Sequence, residues 1–318
     1  MALVLVLLRY VSEHWWLTTA LVYLPRTPYS VLPLLLLPMA ILYSRQAVIA
    51  NAAALVLALG PIMGLAVPLP SWGGRHEANH LRIVSCNVHG YQPSFEGVLS
   101  EISSGVPDVV VFQEAVAEDR LLDKAFPDSD WHRWHVDEYF VASRRRIRHI
   151  ATFKSEPCQR VAAVMFEIAD TRPYRLLNIH QTSPRGGLTS LRPANVVDGS
   201  GGEIVDRSVD LRKQESAALR EFVEEHRGEM PLLIVGDFNM PSDSSLYRSA
   251  WGDYQNAFDS GGFGYGYTAS CGKNRFWPNG TPWCRVDHIL ASSEWHIQKC
   301  WIGSGNGSDH RLIAAILD

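Results

Sequence analysis

Eight side chains capable of polar chemistry stand directly after apolar runs: Asn87, Glu114, His180, Asp237, Asn239, Asp287, Asp309 and His310. One such residue is ordinarily a loop cap. Eight acidic, amide and imidazole groups at successive run ends ask for more. A buried group of carboxylates is strongly destabilising unless a cation or hydrogen bonds compensate it. The set offers oxygens, amides and imidazoles and no thiolate. Glu114, Asn87 and Asp309 therefore suit a hard cation, Mg2+ or Mn2+. His180 and His310 add acid and base capacity near neutral pH. Together this is equipment for hydrolysing a phosphate ester. The cation neutralises phosphoryl oxygens, one side chain orients water, and others stabilise the developing charge.

The elements that must carry these residues are legible in the same runs. LRIVSCNVH reads as a strand with a polar tip, and PSFEGVLSEISSG as a short helix ended by Gly105. PDVVVFQEA and PLLIVGDFNMP are continuous apolar runs, as strands covered on both faces would be. QRVAAVMFEIA and YRLLNIH are two more strands joined by a turn at 170–173. Residues 181–206 read as a long Gly-rich loop of the functional kind. DRSVDLRKQESAALREFVEEHRG reads as an amphipathic helix with Leu211, Leu219, Phe222 and Val223 on its apolar side. RVDHILAS, WHIQKCWIGS and RLIAAILD close the chain as short strands. Strands alternating with helices and then running in pairs predict an α/β sandwich of mixed sheets. Polar tips of buried strands are where open α/β sheets place ligand sites.

The series SCNVHG, VVVFQEA, LLNIH, IVGDFN, RVDHIL and GSDHR resembles the endonuclease/exonuclease/phosphatase superfamily over roughly residues 80–318. GDFN followed by RVDHIL and a terminal SDH, with Asn and Glu upstream in that order, carries the resemblance. It implies a four-layer α/β sandwich, two mixed β-sheets flanked by helices. It also implies roles. Glu114 would be the main metal ligand with Asn87 beside it, and Asp309 would lie at the metal. Asp237 would orient or deprotonate the attacking water, Asn239 would hold a phosphoryl oxygen, and His180 would contact the phosphate. His310 would stabilise the pentacovalent state or assist the leaving group, with Asp287 fixing its tautomer. One departure stands out: His89 occupies the position where abasic-site endonucleases of the superfamily carry Asp, which counts against that specialised role.

Charge divides the chain. Residues 1–70 hold four charged side chains (Arg9, Glu13, Arg26 and Arg45) against 58 in residues 71–318. The first part is net +2 and the rest net −6. This predicts a membrane anchor over 1–70, a linker over 71–80 and a catalytic domain over 81–318. Spanning a bilayer takes about 20 mostly apolar helical residues. Residues 46–69 carry no charge, and 29–43 are apolar but short, with Pro33 and Pro38 inside. Residues 1–24 are interrupted by Arg9 and Glu13, whose i,i+4 spacing would let one helix pair them. Three apolar runs and no basic start argue against a cleaved signal peptide. Three crossings are favoured over two, which would place the catalytic domain outside the cytoplasm.

A mildly acidic body is a poor grip for polyphosphate backbones, which draw an excess of Lys and Arg. A tether raises the effective concentration of a substrate already in the membrane. The expected function is therefore an integral-membrane, metal-dependent phosphoesterase acting on a lipid-borne phosphate ester or pyrophosphate, with the bilayer as partner and no obligatory protein partner. A membrane-anchored or extracellular nuclease is the alternative, and a non-catalytic scaffold of the same fold the third reading. Cys271 and Cys284 bracket a Gly/Pro/Trp-rich loop and could close a disulfide, against the plainer reading of five free thiols. Arg144, Arg145, Arg146 and Arg148 form a basic run that is either a solvated hairpin face or a contact for anionic headgroups.

Overall fold

Along β1 (Leu81–Asn87), successive side chains alternate between two cores, as the two-residue period of a strand requires. Ile83 faces a second sheet, while Val84 and Cys86 face helices. The same alternation runs through the chain, and it sorts the interior into three layers of apolar contact. The computed structural model describes residues 1–68, 80–116, 119–269, 281–305 and 307–318.

After β1 come α5 and its neighbours, preceded in the chain by four helices of the leader: α1 (Ala2–Val6), α2 (Trp16–Tyr23), α3 (Pro28–Tyr43) and α4 (Arg45–Leu57). The first half of the body then runs α5 (Phe95–Gly105), β2 (Val109–Gln113), α6 (Asp119–Ala125), β3 (His132–Val136) and β4 (Tyr139–Ser143). The second half runs β5 (Arg146–Ser155), β6 (Arg160–Ala169), β7 (Tyr174–His180), α7 (Arg185–Leu188), α8 (Pro193–Val197), α9 (Ser200–Arg227), β8 (Leu232–Asp237), α10 (Ser245–Trp251), β9 (Gln255–Asn256), α11 (Ala257–Gly261) and β10 (Asp287–Ala291). The chain ends with β11 (Ile297–Ile302) and β12 (Ile313–Leu317), which return to the first sheet.

The described strands form two mixed sheets, ordered β11-β12-β1-β2-β4-β3 and β5-β6-β7-β8-β10-β9. Each is built on a central parallel pair, β1/β2 or β7/β8, flanked by antiparallel neighbours. Val111, Val141, Phe166, Leu176, Val235 and Ile289 fill the space between the sheets. Phe112 and Phe140 pack outward on Phe95, Phe126 and Trp131. Leu177, Ile179 and Ile234 pack outward on Leu219, Val223 and Trp251. Each fully buried Val, Leu or Phe contributes roughly 1.5–3 kcal/mol. The result is the expected four-layer α/β sandwich.

Three expectations are corrected. Residues 181–206 are not a loop throughout: α7 and α8 occupy part of it, and α9 begins at Ser200. The early start brings Gly201 and Gly202 inside a helix, where a Cβ on Gly202 would lie 2.8 Å from the Trp16 ring. Leu211 is also not on the buried face of α9, being 37% exposed, whereas Arg212 is 1% exposed. Apolar periodicity alone set the helix phase one residue wrong there, because it cannot foresee a buried arginine with partners.

The third correction concerns the leader. Residues 1–24 break at Ser12–Trp15 and pack onto the sandwich rather than forming one span-length helix. Arg9 and Glu13 do not pair; the Glu13 carboxylate accepts hydrogen bonds from the Leu246 amide (2.8 Å), the Ser245 hydroxyl (3.1 Å) and the Tyr23 hydroxyl (3.0 Å). Arg26 forks onto Asp243 through two hydrogen bonds. One helix, Arg45–Ile62, is long and apolar enough to cross a membrane, and α2 with α3 would make a second candidate bent by 76°. α3 and α4 form a hairpin whose Asn51 side chain donates to the Pro33 carbonyl. Both hairpin ends are tied to the sandwich, by Arg26 at one side and by the Tyr267 hydroxyl on the Met63 carbonyl and the Ala66–Gly264 bridge at the other. Its tip is bare, with Leu42 and Tyr43 among the most exposed apolar side chains. The expected linker lies outside the described residues except for His80, and Cys271 and Trp277 lie outside them too.

Candidate active site

Strand register brings the expected residues together. On β8, Asp237 is paired with His180 of β7 on one side and Asp287 of β10 on the other. In the facing sheet, Asn87 is paired with Gln113, the residue before Glu114. Tips of five strands from two sheets thus meet at one end of the sandwich. Gly236 makes the close pairing possible: at φ 143° a Cβ there would sit 2.1 Å from the Ile179 carbonyl oxygen.

Asn87 is the bridge between sheets. Its Nδ2 donates to Glu114 Oε1 at 2.9 Å and to Asp237 Oδ2 at 3.2 Å. Asp237 is 1% exposed and lies between two imidazoles. His180 Nε2 is 3.7 Å and His310 Nε2 3.9 Å from its Oδ2. Both rings are fixed from behind by a carboxylate. His180 Nδ1 is 2.9 Å from Glu138 Oε1, and His310 Nδ1 is 2.8 Å from Asp287 Oδ2. Each Nδ1 donates to its carboxylate, so each Nε2 points to the centre.

The electrostatics follow from burial and these pairs. Burial pushes the Asp237 carboxyl up, Asp287 adds to that, and the two imidazoles pull the other way. Burial works against a charged His310, but Asp287 and then Asp237 outweigh it and lift the imidazole to about 10. Burial likewise opposes His180, and Glu138 and Asp237 outweigh it, so its pKa is raised. Glu138 itself is lowered to about 2: burial would raise it, but His180 and then Arg160 dominate. His288, next to Asp287 but on the other strand face, is wholly buried and is pushed down to about 3. It stays neutral and accounts for itself structurally, holding the Met240 carbonyl at 2.8 Å.

A hard cation fits the oxygens on the Asn87 side. Glu114 and Asp309 both face His89, whose Nδ1 is 3.4 Å from Glu114 Oε2 and 3.7 Å from Asp309 Oδ1. Ser308 Oγ donates to the Asn87 carbonyl and so ties the Asp309 segment to the same tip. Two carboxylates with no thiolate are oxygen donors of the Mg2+ or Mn2+ kind; Asn87, whose Nδ2 faces Glu114 while its Oδ1 accepts the His89 amide at 3.0 Å, would join them by turning its amide. A second group, Asp237, Asp287 and His310, has ligand atoms within 4.8 Å of one another. There, however, His310 Nδ1 is already engaged by Asp287, which leaves an acid–base pair facing a carboxylate. Asp287 Oδ1 is buried without a hydrogen-bond partner among the described residues.

Three of the eight non-glycine residues with positive φ among the described residues lie in this cluster. His89, Glu114 and Asn239 take left-handed φ values of 45°, 53° and 52°. Such conformations persist where surrounding structure over-determines them. Asn239 donates its amide N–H to Asp237 Oδ1 (2.8 Å) and its Nδ2 to the Gln181 carbonyl (2.9 Å). All eight expected residues therefore gather at this end of the sandwich.

Sequence reasoning missed Glu138, Arg160, Arg212 and the placement of His89. Glu138 stands before an apolar run rather than after one. Because β4 runs antiparallel to β2, that position lies at the same end of the sheet as Glu114. An acidic residue opening the run YFVAS was the available signal. The basic run sits at the opposite end: Arg146 pairs in register with Ala169, far along β6 from the His180 end. There Arg148 pairs with Glu167, and Arg144 stacks over Trp131. Arg185, Arg192 and Arg207 are exposed.

No curated protein sequence matches the chain. Among solved structures it is similar to a 3′ phosphatase from Neisseria bound to product DNA hairpin (17% identity, TM-score 0.55, 75% of this chain and 99% of that one). It is also similar to a mannosyl-6-phosphatase from Bacteroides thetaiotaomicron (15%, 0.54, 75% and 99%). A third is D. rerio TDP2 complexed with single-strand DNA product (15%, 0.54, 76% and 99%). At these identities the likeness is one of fold. The Endonuclease/Exonuclease/phosphatase family matches residues 84–310, which holds every residue of the cluster. The chain belongs to the endonuclease/exonuclease/phosphatase family and is a phosphoester hydrolase, of a family generally dependent on divalent metal.

Proposed function

We propose that the protein is a membrane-embedded, divalent-metal-dependent phosphoesterase whose substrate is a phosphate ester or pyrophosphate carried by a lipid. The observation that carries the lipid assignment is the docking of the apolar hairpin. Its base is pinned by Arg26 to Asp243, four residues after Asn239, so the bare apolar helices stand beside the loop that continues the centre. At 1.5 Å per residue, 16 and 18 residues reach about 24 and 27 Å, close to the roughly 30 Å of a hydrocarbon core. Both hairpin ends return to the sandwich, and so does residue 1–24. On this reading the hairpin crosses twice, and Met1 and the catalytic centre share a side of the membrane.

Mg2+ or Mn2+ held by Glu114, Asn87 and Asp309 would neutralise phosphoryl oxygens when bound. The protein's own groups do the rest. Asp237, ionised between two imidazolium groups, accepts a proton from the attacking water. His180, held charged by Glu138, binds a phosphoryl oxygen, and the free amide hydrogen of Asn239 binds another. His310, held charged by Asp287, donates from Nε2 to the developing or departing oxygen. A nuclease is the second reading, favoured by the DNA in two of the similar structures.

The test uses full-length protein in detergent with Mg2+ or with EDTA. Substrates are vesicles containing phosphatidic acid or phosphatidylglycerol, a prenyl pyrophosphate, and supercoiled plasmid. Metal-dependent release of phosphate or headgroup from a lipid, with plasmid left intact, is the expected result. Nicking of plasmid with every lipid untouched overturns the lipid assignment. Glu114→Ala should lose at least about 100-fold in rate with an unchanged melting temperature.

A further inference from the structure

Asn239 is held from three directions, and one of them is the leader. Its amide and side chain are bound to Asp237 and Gln181, inside the sandwich. Its carbonyl accepts from Arg212 Nη2 at 2.7 Å and faces the Tyr23 hydroxyl at 3.4 Å. That hydroxyl also lies 3.0 Å from Glu13 Oε1, and it has one proton to share between the two acceptors. Arg212 is fixed at its other end by the Thr182 carbonyl (3.0 Å), and its guanidinium lies 5.4 Å from the centre of the Tyr23 ring.

Glu13 completes the arrangement. Its side chain is fully buried, and its Oε1 is 3.9 Å from Arg212 Nη1, itself buried. A buried guanidinium needs a counter-charge, because removing one partner of a buried pair leaves an uncompensated charge. Glu13 supplies it. The same carboxylate takes the Leu246 amide and the Ser245 hydroxyl, while Ser12 Oγ takes the Ser245 amide. The segment from Asn239 to Leu246 is therefore clamped between α9 on one side and residues 12–26 on the other. A left-handed backbone at Asn239 costs roughly 1 kcal/mol against the ordinary conformation, and hydrogen bonds to its carbonyl hold that peptide in place.

We propose that Glu13 and Tyr23 are positioning residues for catalysis: through Arg212 and the Asn239 carbonyl they hold Asn239 facing Asp237, so the leader is a working part of the active site as well as an anchor. The proposal rests on the reading of Asn239 as a phosphate-binding residue. Its consequence is that turnover of a water-soluble substrate depends on the leader, which a tether alone would not produce.

The experiment measures kcat and KM of the full-length protein in detergent on bis(p-nitrophenyl) phosphate and on the lipid substrates above, with Mn2+ or Mg2+. Variants are Tyr23→Phe, Glu13→Gln and, as a docking control, Trp16→Leu, which loosens the contact at Gly202 without touching Asn239. Tyr23→Phe and Glu13→Gln should lower kcat about three- to tenfold, the size of one lost hydrogen bond, with KM within about twofold and the melting temperature nearly kept. Trp16→Leu should lower the melting temperature and leave kcat unchanged. If Glu13→Gln does not fold, Tyr23→Phe decides. Unchanged kcat in Tyr23→Phe, or a kcat loss that follows melting temperature across all three variants, overturns the positioning role while leaving the hydrolase intact. A wild-type protein that turns over none of these phosphoesters overturns the functional reading, and this proposal with it.

Discussion

Glu138→Gln isolates the charge behind His180. Glutamine keeps the volume and an acceptor oxygen for Nδ1, so the ring can stay in place while its counter-charge goes. The magnitude comes from Glu138, whose pKa falls from 4.5 to about 2 against the opposing effect of burial. Its side chain is 19% exposed, so solvent screening takes a modest share. A depression of that size corresponds to about 3 kcal/mol of favourable interaction with its partners. Those partners are His180 at 2.9 Å and Arg160 at 2.6 Å. An even division leaves roughly 1–2 kcal/mol with His180, about a tenfold change in the charged fraction of the imidazole. The sign is fixed by which form is favoured. In the native protein, His180 holds its proton to higher pH than a free imidazole; without the Glu138 charge, Asp237 is left to oppose burial and the proton is lost earlier. The assay is kcat/KM on a soluble phosphoester from pH 5 to pH 9 at saturating metal. The variant should fall roughly tenfold below wild type at pH 8, with the gap narrowing toward pH 5.5 as His180 is recharged. A loss that is constant across pH, or none, refutes the argument that Glu138 acts through the charge of His180.

Two further outcomes follow from the same geometry. Acid stability should separate the same pair of proteins: a lowered Glu138 contributes stability that is complete above its unfolded value and disappears as pH falls through about 2. Melting curves of wild type and Glu138→Gln should therefore differ at pH 7, draw together below about pH 4 and meet only as pH falls through about 2; curves that stay parallel would contradict it. Gly236→Ala must place a Cβ 2.1 Å from a backbone carbonyl oxygen at a positive φ, and neither can yield without parting β7 from β8. It should cost about 3 kcal/mol, or roughly 6–12 °C in melting temperature for a domain of this size, and a variant melting within a degree or two of wild type would count against that packing.

The chemistry was legible in the sequence because it is local to strand ends. Asn87, Glu114, His180, Asp237 and Asp287 each end or open a short apolar run, and a buried strand must place such a residue at the rim of its sheet. The order of the runs then gave the sandwich. Glu138 escaped this logic because an antiparallel strand reaches the same rim with its first residue, and strand direction is settled by pairing with a distant partner. Arg212 escaped it because a charged residue beside Leu211 and Leu219 reads as solvent-facing until its partners are known.

The leader marks the boundary most clearly. Composition alone determined that residues 1–70 are charge-poor and that residues 46–69 carry no charge. It could not determine what Glu13, Tyr23 and Arg26 do. An acidic residue ten places before a tyrosine says nothing by itself; its meaning lies in Ser245, Leu246 and Arg212, more than 190 residues away. Hydropathy records how a side chain would fare against water or lipid. Only the tertiary structure supplies the third environment, a buried polar contact with the body, which turned an interrupted apolar segment into a clamp on Asn239.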